Sequence, residues 1–230
     1  MKLLRITLRW FFLVILCFVG LTILALLLFR FVNPPTTAFI LGYQVETGSF
    51  TGVSQTWVPL ENISPWMPLA VIASEDQRFL DHWGVDLNAI VTAVNAFQEG
   101  DGLRGASTIT QQTSKNLFLW GGRSFVRKGL EAVLAVGMDG LWPKRRIMEV
   151  YLNVAEFGPG IYGVEAASRA HFGVSAEQLT ASQAARLAAV LPNPSVFDAG
   201  SPTPYVWERV SWIQRQMSQL GGTALVRVLY

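Results

Sequence analysis

IASEDQRFLDHWG, residues 72–84, is followed by GASTITQQTSKNLF at 105–118 and by RKGLE at 127–131. Two isolated acidic positions, Glu75 and Glu131, are interleaved here with amides, hydroxyls and cations. That combination suits a site that takes a proton from a sugar hydroxyl and holds a phosphate-rich leaving group. The same stretch points to helices. Leu69, Ala70, Ile72 and Ala73 supply an apolar face that runs into Glu75, and positions 108, 111, 112 and 115 share one face at i, i+3, i+4 and i+7.

Working outward, Ser64-Pro65 opens the helix that ends near Glu75. A second helix is expected over Asp86–Phe97, closed by Gly100. Helices follow over Ser107–Leu119, Phe125–Leu141 and from Pro143 through Leu152. Thr180-Ala-Ser-Gln183 is a capping box before Ala184–Leu191, and Pro204–Leu220 is a long amphipathic pattern stopped by Gly221-Gly222. Phe39–Leu60, rich in Gly, Ser, Thr and Val, reads as extended or loop. No repeat and no strong strand alternation is present. The fold class expected is mostly α.

The 230 residues suffice for one domain plus an accessory segment. Trp10–Phe29 is a run of about 20 residues without a charge, which at ~1.5 Å per residue spans a ~30 Å hydrocarbon core. Lys2, Arg5 and Arg9 precede it, favouring a cytoplasmic N-terminus. A cleaved signal peptide would have a shorter apolar core and small residues at the cut, so an uncleaved anchor is the better reading. The organisation expected is a basic N-terminus at 1–9, an anchor at 10–32, a linker and membrane-proximal segment at 33–60, and the main domain at 61–230.

Cys17, inside the apolar run, is the only cysteine, so the body has neither disulfide nor thiol nucleophile. His82 and His171 are far apart, against a structural zinc site. A net charge of +2 gives no general case for nucleic acid. Between Asp101 and Lys128, however, Arg104, Lys115, Arg123, Arg127 and Lys128 face one aspartate: a local anion trap. Leu117, Phe118, Leu119, Trp120 and Phe125 are mixed among these cations, as in a core helix with a basic edge or a segment in a lipid headgroup layer.

Each candidate has a plain alternative. Glu75 could be an idle glutamate, but burial behind Leu69–Ala73 would raise its pKa toward useful basicity. Ser107, Thr108, Gln111, Gln112, Lys115 and Asn116 could be a polar helix face or a surface for sugar hydroxyls and phosphate oxygens. Gly102 and Gly105 imply a loop able to approach a ligand closely. Arg127 and Lys128 lie within one turn of Glu131, as a surface salt bridge or as cations fixed against a substrate. Gly158-Pro-Gly-Ile-Tyr-Gly163 matches GxGxxG, but a helical pattern precedes it and no βαβ unit surrounds it, so a tight loop is the reading.

At these residues the chain resembles the family 51 glycosyltransferases, the peptidoglycan polymerases. The motif EDxxFxxHxG appears as Glu75-Asp76-Gln-Arg-Phe79-Leu-Asp-His82-Trp-Gly84, and GxSTIxQQxxKN as Gly105 through Asn116. RKxxE is Arg127-Lys128-Gly-Leu-Glu131, and KxxIxExYLN is Lys144 through Asn153. Four motifs in order cover most of Pro59–Gly173. His171-Phe-Gly-Val174 departs from the Tyr-Phe-Gly-Lys common in the family, and Met138-Asp139 replaces a more usual Leu-Glu pair, a change expected to be without consequence.

The resemblance implies a lysozyme-like, mostly helical fold with a membrane-facing lobe. Neither SxxK nor KTG occurs, so the chain looks like the monofunctional, membrane-anchored biosynthetic peptidoglycan transglycosylases of a Gram-negative-like inner membrane, with the catalytic domain periplasmic and no transpeptidase activity. By the resemblance, Glu75 is the base and Glu131 the second catalytic carboxylate. Asp76, Phe79, His82, Gly84, Arg104, Ser107, Thr108, Gln111, Gln112, Lys115, Asn116, Arg127 and Lys128 are the substrate-binding set. Lipid II, the growing glycan strand and membrane lipids are the implied partners, and a divalent cation, Mg or Mn, the implied cofactor. Other cell-wall synthesis or division proteins stay open as partners. The rival readings are a lytic transglycosylase or muramidase-type hydrolase, and a non-catalytic anchored wall-binding protein.

Overall fold

A computed structural model describes residues 2–98, 107–122 and 124–230. The chain divides into two compact units, Met1–Pro35 and Thr36–Tyr230. The first is a single helix, α1 (Lys2–Phe29), whose segment Arg5–Phe29 is long and apolar enough to cross a membrane. Its side chains from Trp10 to Val19 stand largely exposed, as a helix that meets lipid rather than protein requires.

The second unit begins with a departure from expectation. The start of the Phe39–Leu60 stretch, expected to be extended or loop, forms α2 (Ala38–Thr47). The signal is in the ends: the Thr37 hydroxyl accepts from Ile40 N at 3.1 Å, and Gly48 closes the helix with φ 64°. Gly42 and the β-branched residues mask it in a propensity reading.

A two-residue strand β1 (Ser54–Gln55) and a 3₁₀ turn (Leu60–Asn62) lead to α3 (Trp66–Glu75). Then come α4 (Leu87–Gln98), α5 (Ile109–Phe118), α6 (Phe125–Leu141) and α7 (Lys144–Val154). Strands β2 (Glu156–Gly158) and β3 (Ile161–Tyr162) form a hairpin, followed by α8 (Val164–Phe172), α9 (Ala181–Val190) and α10 (Pro204–Gln219). A 3₁₀ segment, Gly222–Leu229, ends the chain. Gly100, Gly102, Arg104, Gly105 and Arg123 lie outside the described residues.

The GxGxxG stretch is this hairpin. β3 pairs parallel with β1 and antiparallel with β2, in the order β1-β3-β2. Strands of two or three residues are too short to show alternation in sequence. Gly163 has φ 81°, and a Cβ there would lie 2.7 Å from the Asn153 carbonyl oxygen, so the close approach requires glycine.

Two helix groups build this unit. On one side α3 packs on α9 and α10; on the other α5 packs on α6, α7 and α2. Arg146 through Val154 of α7 are buried. The polar motif residues on that helix tie down the chain before α3. Glu149 accepts from Leu60 N at 3.2 Å, and Asn153 receives Val58 N at 2.9 Å and returns a bond to Val58 O at 2.8 Å. They are structural clamps. Arg146 is paired with Glu149 and stacks over Trp57, 5.4 Å from the ring centroid.

Candidate active site

Helix α3 is a buried apolar rod from Met67 to Ala73, and it delivers Glu75 at its last position. Asp76 leaves helical geometry (φ −161°, ψ 78°), so the two neighbouring carboxyls diverge. The Glu75 side chain is only 13% exposed. Gln112 Nε2 donates to Glu75 Oε2 at 3.0 Å, and an Arg209 guanidinium nitrogen donates to Oε1 at 3.3 Å. Burial pushes the Glu75 pKa up; the Gln112 bond and the Arg209 charge oppose that, and Asp76 adds to it. The carboxylate is thereby a stronger base than an exposed one.

Gln112 is itself fixed. Tyr151 of α7 donates its hydroxyl to Gln112 Oε1 at 3.1 Å, which turns the amide NH₂ toward Glu75. Burial holds the Tyr151 pKa well above the usual phenol value, with Glu75 and Asp76 adding to the shift, so the phenol keeps its proton and remains a donor. Tyr151 lies inside the KxxIxExYLN stretch, but its role was not read from sequence. Arg209, 134 residues beyond Glu75, carries no local signal that would have found it.

The α5 face divides. Thr108 and Gln111 form a capping box, with Gln111 N donating to Thr108 Oγ1 at 3.1 Å and Thr108 N to Gln111 Oε1 at 3.0 Å. Both are 2% exposed: these two members of the expected substrate-binding set start the helix, and Thr108 also lines the cleft beside Glu75. Asn116 is buried as well, at 8% exposure. Gln112, Lys115 and Ser107 are the partly exposed members. An N3 glutamine that caps must bend back to its own N-terminus, and spacing alone does not distinguish that from a ligand contact.

Glu131 is no surface residue. At 3% exposure its carboxylate takes Arg127 at 2.9 Å on Oε2 and Lys128 at 2.6 Å on Oε1. Lys128 also donates to Ser107 Oγ at 2.6 Å, bringing the start of the second motif to the third. Lys115 makes no ion pair among the described residues, and burial lowers its pKa first of all causes. The cleft of ≈ 240 Å³ beside this array is lined by Glu75, Gln77, Arg78, Ala89, Ser107 and Thr108, among others.

The rest of the first motif builds the frame of the cleft, which Asp76 also lines. Asp76 meets His82 Nε2 at 2.9 Å and accepts from Ile109 N at 3.0 Å, joining the end of α3 to the start of α5. Phe79 is fully buried, under the Lys144 ammonium at 4.7 Å, and offers a substrate no surface. Gly84 has φ 69°, and a Cβ there would lie 2.5 Å from the Ala135 carbonyl oxygen of α6. Asp139 anchors this region. It accepts from Gly84 N, from Thr110 Oγ1 at 3.3 Å and from Lys144 Nζ at 2.7 Å. At the departing His171-Phe-Gly-Val174 stretch, Arg186 of α9 stacks over Phe172, 4.7 Å from the ring centroid, and brings a cation there from another helix.

A model of the Transglycosylase family matches residues 43–218, a span that takes in all four motifs and Arg209. This chain belongs to the transglycosylase family. The transglycosylase domain is lysozyme-like. A biosynthetic peptidoglycan transglycosylase of Marinomonas sp. (strain MWYL1) is 59% identical over 204 residues, covering 89% of this chain and 88% of that protein. Those of Shewanella frigidimarina (strain NCIMB 400) and Pseudomonas fluorescens (strain Pf0-1) are 56% and 50% identical, covering 87% and 98% of this chain and 86% and 95% of theirs.

The metal expected of a transglycosylase finds no ready cage. Among the described residues no group of three His, Cys, Asp or Glu side chains is placed to hold an ion. Both Glu131 oxygens are taken by cations, and Asp76 by His82 and Ile109 N.

Proposed function

We propose that this transglycosylase polymerises lipid II into glycan strands with release of undecaprenyl pyrophosphate. Glu75 removes the proton from the 4-hydroxyl of the acceptor sugar. That oxygen attacks the anomeric carbon of the growing strand with inversion, the bond to pyrophosphate breaks, and the proton stays on Glu75 until solvent takes it. The leaving group departs as an anion countered by Lys115, Arg127 and Lys128. Glu131 holds the last two cations in place. A divalent cation, Mg or Mn, would supply further countercharge to the pyrophosphate, and Glu131, which already holds Arg127 and Lys128, is the carboxylate placed among the cations of the site.

The observation that carries this reading is the largely buried Glu75 carboxylate, bonded to Gln112 and Arg209, beside a cation array. A hydrolase of the same polymer needs a protonated acid and a second available carboxylate or its equivalent. It has no need of a cation array beside its glutamate such as Lys115, Arg127 and Lys128 form here.

The chain sits in the inner membrane by α1, N-terminus cytoplasmic, with the catalytic unit periplasmic, as Lys2, Arg5 and Arg9 favour. Trp83, Leu87 and Val91 with Val126, Val133 and Val136 expose apolar surface on and around α4 and α6, suited to contact with lipid. The test is incubation of the detergent-solubilised protein with lipid II and Mg or Mn, resolving products by gel. Muramidase-sensitive polymer supports the proposal. Sugar release from preformed peptidoglycan without polymer overturns it.

A further inference from the structure

Lys115 differs from the other cations of the site. Arg127 and Lys128 are both ion-paired with Glu131, and Arg209 with Glu75. Lys115 instead lies over an aromatic ring: its Nζ is 4.8 Å from the centroid of Phe39. Phe39 is the second residue of α2, the helix that packs against α5. The half-buried ammonium pays desolvation, and Arg127 and Lys128 repel it further; Glu131 and Glu75 offset this only in part.

A ring face supplies what a carboxylate there could not. It favours the ammonium electrostatically but accepts none of its three N–H bonds through a strong acceptor. A carboxylate at the same place would hold the charge and also compete with an incoming phosphate. An aliphatic side chain would leave the ammonium only the partial offset from Glu131 and Glu75. α2 keeps the ring in place through its Thr37 cap and the buried Ile40, which is 3% exposed.

We propose that Phe39 is a positioning residue for the transfer reaction: its ring keeps Lys115 charged and free of protein anions, so that the ammonium is available to the pyrophosphate of the substrate. The proposal rests on the reading of Lys115 as a pyrophosphate-binding cation. It also makes α2, outside all four motifs, part of the working site.

The test uses the full-length protein in detergent with lipid II, comparing Phe39→Leu, Phe39→Tyr and Lys115→Ala. Phe39→Leu is expected to raise KM for lipid II about 3- to 10-fold and to move the alkaline limb of the pH–rate profile to lower pH. Phe39→Tyr, which keeps the ring, restores both. Competitive amine labelling of Lys115 against pH, read by mass spectrometry, gives the same ordering without turnover. Wild-type KM and labelling in Phe39→Leu, alongside an impaired Lys115→Ala, overturn the role of Phe39 and leave the pyrophosphate reading standing. Wild-type activity in Lys115→Ala overturns that reading itself. Equal losses in the Leu and Tyr variants, with unmoved labelling, reduce Phe39 to a packing residue and overturn the proposal.

Discussion

Arg209 of α10 reaches back across 134 residues of sequence to donate to the Glu75 carboxylate at 3.3 Å. The contact makes the C-terminal helix part of the base. It also balances the site: burial drives Glu75 toward its neutral form, and Arg209 and Gln112 restrain that drive. The carboxylate gains basicity without becoming fully protonated.

Removing the restraint should therefore be visible in the pH profile. Arg209→Gln deletes a charge that lowers the Glu75 pKa, so the pKa rises and the acid limb of kcat/KM moves to higher pH. Initial rates of lipid II polymerisation across the acid range check this. An acid limb that stays in place denies Arg209 its influence on the base.

Tyr151→Phe removes the bond that orients Gln112 and leaves the ring packing intact. One neutral hydrogen bond is worth about 1 kcal/mol, so kcat should fall about five- to tenfold. Thermal denaturation run beside the assay should show little change, separating orientation from stability.

Much of this arrangement was legible in the sequence, for physical reasons. The apolar run before Glu75 and the i, i+3, i+4, i+7 face at 108, 111, 112 and 115 are local signals, so α3 and α5 were foreseeable to within two residues. The Arg127, Lys128 and Glu131 array follows from helical spacing. Arg209 and Phe39 were not legible, because each meets its partner only through the packing of helices distant in sequence. Thr108, Gln111, Phe79 and His82 lie within the motifs yet are buried. A motif records what a site needs, including its scaffold, and spacing alone does not separate the two.

Asp139 illustrates that scaffold. Its side chain is 6% exposed and pairs with Lys144 at 2.7 Å. Asp139→Leu leaves Lys144 beside Phe79 without its carboxylate, and about 3 kcal/mol of stability should be lost. Chemical denaturation of the full chain measures this. A variant as stable as the parent removes Asp139 from the framework.

The exposed surface of α6 offers a separate prediction. Val133, 71% exposed, should lie against lipid when the protein is in a bilayer. A fluorophore at Val133→Cys, in a Cys17→Ser background, should be quenched by nitroxides carried on the lipid near the headgroups. Quenching only by a water-soluble agent would place that face in solvent.

The most direct measurement is gel-resolved polymerisation of lipid II by the wild type and by Glu75→Gln, with thermal stability recorded for both. The folded pKa of Glu75 is raised, so its stabilising contribution is present below the unfolded pKa and is lost as pH rises through the folded one. At neutral pH the ionised carboxylate therefore costs stability, and the neutral amide should leave Tm unchanged or higher. The account predicts polymer from the wild type and none from an equally stable Glu75→Gln. Polymer of wild-type yield from that variant would contradict it.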